Sequence, residues 1–154
     1  MTPFMKLVID DLGLTRCKRI DHKKEARMPK GTEKIEAKNL NSPDEVRRFE
    51  CGKLEIVKVA GATVGRATFE PNWKWSTCVK PIAKTNSCQA AHYGYQLSGT
   101  LTTVMDDGTE KTTKAGDVVS IPPGHDAWVV GNEPVVVIDF QGMVDYAKQL
   151  PKKK

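Results

Sequence analysis

From residue 53 onward, apolar and polar positions alternate in short runs. Leu54 and Ile56 sit between charged neighbours, and Val57 and Val59 continue the run in the opposite phase. Alternation with period two, rich in β-branched residues, predicts half-buried strands. By that criterion strands are expected over 54–60, 62–69, 91–97, 101–105, 109–114, 117–121, 127–130 and 134–140. Asp106-Asp107-Gly108 is the strongest hairpin signal, because Asp-Gly suits a turn that needs positive φ. Short strands with turn signals every ~8–12 residues predict an all-β antiparallel sandwich or barrel.

The flanks read differently. Residues 1–40 are charged and carry no sustained period, so they are expected to form an arm, with at most one helical turn over 10–14. Ser42-Pro43-Asp44-Glu45 has the pattern of a helix start, with Ser42 as cap, Pro43 at the first helical position and Glu45 reaching back. A short turn or helix is therefore expected before Cys51-Gly52. Residues 142–150 predict a closing helix with Met143, Tyr146 and Ala147 on one face. The expected organisation is an arm over 1–40, a β domain over 41–150 and a basic tail over 151–154.

Composition sharpens this reading mainly through charge. The chain has 154 residues, 39% hydrophobic and 28% charged, which fits one soluble globular domain. Its net charge of +5 comes from the two ends, because residues 31–147 hold more acidic than basic side chains. A nucleic-acid binder concentrates basic residues on its folded surface, so no nucleic-acid partner is expected. No apolar run approaches the ~20 residues that cross a bilayer, so no membrane partner is expected. The apolar patch in residues 4–9 is too short for a secretory leader, and a cytoplasmic location follows as the expectation. The four cysteines, Cys17, Cys51, Cys78 and Cys88, include no C-x-x-C pair. Sheet edges left open invite pairing, so a homodimer is expected, with the arm at its seam.

Gly116-Asp117-Val118-Val119-Ser120-Ile121-Pro122-Pro123-Gly124 resembles the second sequence motif of the cupins, in which a glycine is followed after five residues by Pro-x-Gly. Gly turns the chain into a strand and Pro-Pro-Gly turns it out again. The likeness spans about residues 53–141. It extends over Trp73-x-Trp75, Lys80-Pro81-Ile82-Ala83, Ser87-Cys88-Gln89 and Gly124-His125-Asp126-Ala127-Trp128-Val129-Val130-Gly131, a string similar to that of small single-domain bacterial cupins without an assigned function. The resemblance implies a small antiparallel β-barrel of the double-stranded β-helix, or jelly-roll, kind. It also implies a divalent metal on three histidines and one glutamate, but those positions fall on Asn86, Cys88, Ala127 and His92, and the opening glycine of the first motif falls on Lys80. The family's usual ligand set is thus absent.

What remains is a different cluster. Cys88 and His92 are four apart and would share a face in a regular strand, and His125 shares the face of Ala127. A cysteine and two histidines with an open position suit zinc or iron as cofactor. The competing reading is a buried cysteine packed as a small hydrophobe beside two hydrogen-bonded histidines. If metal binds, its affinity is expected to fall below pH ~6.5, where an ordinary histidine protonates. Asp126 reads either as an orienting partner for a histidine or as a turn residue. Trp73, Trp75, Tyr95 and Trp128 flank the motifs and are candidate ligand-binding residues, because aromatic walls with a few polar groups build small-molecule pockets. Lys80 and Gln89 are candidates to supply charge and hydrogen bonds. The missing standard ligands favour a cupin that binds a small organic molecule in an aromatic-lined pocket. The alternative is a metal-dependent Cys/His/His enzyme acting on a small acidic metabolite by oxygenation, isomerisation or elimination.

Overall fold

The computed structural model describes residues 6–9, 15–18 and 34–148. The chain divides into two compact units, 1–31 and 32–154. In the first, β1 (Lys6–Ile9) pairs antiparallel with β2 (Thr15–Lys18), strands that the charged pattern of the arm does not announce. The helical turn expected over 10–14 and the tail over 151–154 lie outside the described residues.

The second unit is built from antiparallel strands. Its larger sheet runs in the order β3 (Glu45–Phe49), β4 (Gly52–Val59), β5 (Ala62–Phe69), β11 (Val135–Asp139), β6 (His92–Ser98), β9 (Val118–Ile121). The smaller runs β10 (His125–Val130), β7 (Thr100–Met105), β8 (Glu110–Lys114). Two one-turn helices, α1 (Trp75–Cys78) and α2 (Lys80–Ala83), fill the long connection between β5 and β6. Among the described residues no continuous ladder closes the two sheets into a barrel, and the antiparallel two-sheet arrangement agrees with the jelly-roll kind expected.

Alternation along the strands places the core between the sheets. Leu54 and Ile56 on β4, Ala67 and Phe69 on β5, and Val135 and Val137 on β11 meet Leu101 on β7 and Ala127 and Val129 on β10 in one apolar cluster. The opposite face of the larger sheet carries polar pairs such as Glu55 with Arg66 and Lys53. It also carries an exposed apolar stripe, Tyr93, Tyr95 and Leu97 on β6 with Val118 on β9.

Of the turn or helix expected before Cys51 only turn residues form, around a strand, and the expected closing helix is replaced. Residues 45–49 form strand β3, paired with β4. Asp44 joins that edge, accepting from the Lys58 backbone N–H at 2.8 Å. Residues 141–148 run as successive turns and not as a helix. Arg47 explains the second change. Its buried guanidinium donates to the carbonyls of Met143 (3.1 Å), Tyr146 (2.7 Å) and Val144 (2.9 Å). Those oxygens are what a helix would offer to N–H groups four residues on, and here a side chain takes them. Met143, Tyr146 and Ala147 still bury against the core, as their apolar character requires. Replacing Arg47 with Met keeps the aliphatic stem and removes every donor. We expect this to cost about 2 kcal/mol or more, measured by urea unfolding, because several carbonyls lose a charged partner together. A midpoint equal to that of the parent would mean the clamp contributes nothing.

Candidate metal centre

Three elements bring the reactive side chains together. His92 opens β6 on the inward phase, and His125 opens β10 in the same phase as Ala127 and Val129. Cys88 lies outside β6, in the loop after α2, and a backbone bridge to His125 holds it. Cys88 N–H donates to His125 O at 2.7 Å, and Gly124 N–H donates to Cys88 O at 2.7 Å. Cysteine and histidine therefore converge through a cross-strand bridge and not through a shared regular strand. Gly124, at φ +90°, makes the turn that returns the chain into β10.

The ligand atoms of Cys88, His92 and His125 all lie within 4.8 Å of one another. Cys88 Sγ is 3.6 Å from His92 Nε2. Each histidine is fixed from behind. His92 Nδ1 donates to Asp139 Oδ2 at 2.6 Å, and His125 Nδ1 donates to the Pro122 carbonyl at 2.7 Å. A carboxylate and a carbonyl only accept, so each Nδ1 keeps its proton and each Nε2 is left for the centre. Metal-binding histidines are held in this way.

Asp139 is 1% exposed, the last inward position of β11 after Val135 and Val137. Its other oxygen, Oδ1, accepts from Gln141 N–H at 2.8 Å and Gly142 N–H at 2.7 Å. Gly142 packs so closely on His92 that a Cβ there would collide with Nδ1. The ring of Tyr146 meets His92 edge-on at 5.5 Å.

Electrostatics separate the pair. Burial alone would push the Cys88 thiol up, but hydrogen bonds from His125 and His92 outweigh it and bring the thiol down to about 6. Burial would likewise push His92 down, yet its hydrogen bonds to Asp139 and Cys88 raise it to about 9. At neutral pH Cys88 is a thiolate and His92 an imidazolium.

Beside this cluster lies a cavity of about 50 Å³. Trp73, Trp75, His92, His125, Asp139 and Tyr146 are among the residues that line it. Trp73 stacks on Phe69, with ring centroids 3.9 Å apart. Both indole N–H groups, Trp73 Nε1 and Trp75 Nε1, are buried without a hydrogen-bond partner. Cys88, Gln89, Trp75 and Tyr146 also line a wider outer groove of about 820 Å³.

The other sequence candidates lie elsewhere. Tyr95 is on the outward phase of β6, and Trp128 is on the outward phase of β10, where Lys74 Nζ sits 5.3 Å from its ring centroid. Lys80 stands half-buried in α2, outside the residues that line the cavity and the groove. The Asp126 carboxylate accepts from Ser76 N–H at 3.0 Å at the start of α1 and from Ala127 N–H at 2.8 Å, and not from a histidine ring. Asp139 and Tyr146 belong to the site although the sequence pattern does not mark them as site residues. Asp139 had one signal, a lone acid on the inward phase of an otherwise apolar strand.

No family profile and no curated protein matches the chain. Solved structures do. The cupin domain of Schizosaccharomyces pombe Cnp3 aligns over 90% of this chain and 85% of its own, with a TM-score of 0.50 and 12% identity. The chain has the cupin fold. A cupin-like protein from Thermotoga maritima is similar over 60% of this chain and 69% of its own, with a TM-score of 0.42 and 20% identity. An RmlC-like cupin from Shewanella frigidimarina covers 64% of this chain and 87% of its own, at 0.43 and 15%. Set on the cupin fold, the motif positions fall as follows: Cys88 and His92 are in the cluster, Asn86 is exposed, and Ala127 is buried in the cavity wall. His125, two residues before Ala127, supplies the third group.

Proposed function

We propose that this cupin-fold chain is a zinc-dependent protein that binds a small oxygen-bearing molecule at Cys88, His92 and His125. The observation that carries the reading is the 3.6 Å separation of Cys88 Sγ and His92 Nε2. Tetrahedral zinc with bonds of about 2.3 Å to sulfur and about 2.0–2.1 Å to nitrogen spaces those two atoms by about 3.6 Å. The donor set agrees, since thiolate and imidazole are ligands that zinc prefers. Three protein ligands leave one position free, the arrangement of catalytic zinc sites and not of structural ones. Zinc, when bound, supplies a Lewis acid that polarises a coordinated oxygen. The chain's own part is to fix both Nε2 atoms through Asp139 and Pro122, to present Cys88 as a thiolate and to keep the adjoining cavity small and apolar.

A second reading rests on the same pair. The thiolate and the imidazolium satisfy each other without a metal, which is how a metal-free binding cupin would look. Elemental analysis of protein equilibrated with zinc and then dialysed separates the two. One zinc per chain is expected in the parent and none in His92→Ala, with the melting transition of the variant still cooperative. Stoichiometric zinc in His92→Ala would overturn the ligand set, and no zinc in the parent would leave the metal-free reading. Iron is read in the same measurement.

A further inference from the structure

Two tryptophans that line the cavity beside the centre carry buried indole N–H groups without a hydrogen-bond partner. Trp73 and Trp75 are each 2% exposed, both line the cavity, and both Nε1–H groups lack a partner. Such groups are rare, because a buried donor left unpaired costs about 1–3 kcal/mol. Two of them in one wall is a feature that a folded core would avoid unless something else fills it. Nothing structural forces indoles here, since phenylalanine would supply similar packing without the penalty.

We propose that the cavity takes a small carboxylate whose oxygens accept from the indole N–H groups of Trp73 and Trp75. The inference rests on the centre proposed above, two of whose residues, His92 and His125, line the same cavity, and it names the class of molecule received there. Size argues for a small ligand. A cavity of about 50 Å³ has room for roughly three to five water-sized groups by the measure in which one water needs about 10–15 Å³. A carboxylate with one or two carbons fits, and a sugar or a nucleotide does not. Chemistry argues for an acceptor. Indole nitrogen donates only, so a ligand that offers donors alone leaves both groups unpaired. A planar group with two oxygens serves two donors at once, and a charged acceptor strengthens each bond. The remaining wall is apolar on the Phe69, Leu101, Ala127 and Val137 side, which suits a hydrogen or methyl substituent. Gln96 is no competitor for the ligand, because its amide is already committed to Gly99 O and Thr113.

Indole N–H resonances report on this directly. The chain has three tryptophans, and Trp128 on the outward face serves as an internal reference. Acetate added to the ¹⁵N-labelled full chain, metal-free and zinc-loaded, is expected to move the Trp73 and Trp75 signals downfield and to leave Trp128 in place. Acetamide, of the same shape and uncharged, is expected to bind about tenfold more weakly or worse. Trp75→Phe keeps the ring and removes the donor, and its acetate affinity is expected to fall about tenfold. Indole signals that stay fixed at saturating acetate would overturn the proposal, as would an unchanged acetate affinity in both Trp73→Phe and Trp75→Phe. The two readings fail separately. Zinc that binds while the indoles stay silent defeats the carboxylate alone. Indoles that respond in a chain that never takes zinc defeat the metal alone.

Discussion

Zinc affinity is expected to rise about tenfold for each pH unit between pH about 6 and about 9. The metal-free pair sets this slope. His92 titrates at about 9, so through that window its Nε2 carries a proton that zinc must displace. Cys88 titrates at about 6 and is already a thiolate there, so it adds no proton above that pH. The sign is fixed by these directions. A raised histidine keeps its proton to higher pH, so competition is strongest at the acid end and ends above about 9. Below about 6 the thiol also takes up a proton, and the fall is expected to steepen to about a hundredfold per unit. An ordinary histidine would place the onset near ~6.5, which is where the residue types alone put it. The shift of onset to about 9 measures the hydrogen bonds that His92 donates to Asp139 and Cys88. A competition titration against a chromophoric chelator, at constant ionic strength, reads the slope. A flat affinity between pH 7 and 9 would contradict the pairing.

Asp139→Asn is expected to lower zinc affinity about ten- to hundredfold while leaving the sheet intact. The two carboxylate oxygens have separate tasks. Oδ1 holds the backbone N–H groups of Gln141 and Gly142, and Oδ2 holds His92 Nδ1. An asparagine has one oxygen, and the two backbone donors that share Oδ1 hold it there. Its NH₂ then faces Nδ1 and presents a donor where the ring needs an acceptor. The imidazole answers by moving its proton to Nε2, the atom required for the metal. The loss is therefore one of tautomer and not of volume. Calorimetric zinc titration reads the affinity, and a thermal melt checks the fold. An affinity within threefold of the parent would show that Asp139 does not set the tautomer.

Strands were legible because alternation is local. Every strand expected between residues 54 and 140 is present within a few residues of its expected bounds. The misread segments are those decided by distant groups. Ser42 to Glu45 looks like a helix start, but Asp44 is taken by the Lys58 backbone, fourteen residues on. Residues 143–147 carry a helical apolar spacing, but Arg47 claims their carbonyls from β3. The centre was legible in part for the same reason. Phase along a strand puts His125 on the inner face with Ala127, but the same phase puts Trp128 and Tyr95 on the outer one, away from the pocket they were expected to line. Nothing in the local pattern could say that Cys88 meets His125 through a bridge, or that Asp139 reaches His92 across 47 residues.

Where the three groups are anchored has a consequence for how variation in this protein should read. His92 belongs to the six-stranded sheet, His125 to the three-stranded one, and Cys88 is tied to the second by its bridge. Together they gauge the gap between the sheets. A site of this kind tolerates misplacement of only about 0.5 Å, and a close-packed interior passes small displacements along instead of absorbing them. In a saturation scan scored for zinc retention, sensitive positions should therefore trace the interior spacers such as Leu101, Ala127 and Val129 as densely as the ligands. The exposed stripe of Tyr93, Tyr95 and Leu97 should stay quiet. Enlarging Ala127 would alter no ligand atom, yet its added bulk would crowd the cavity wall it shares with His92 and His125, and zinc retention is expected to fall.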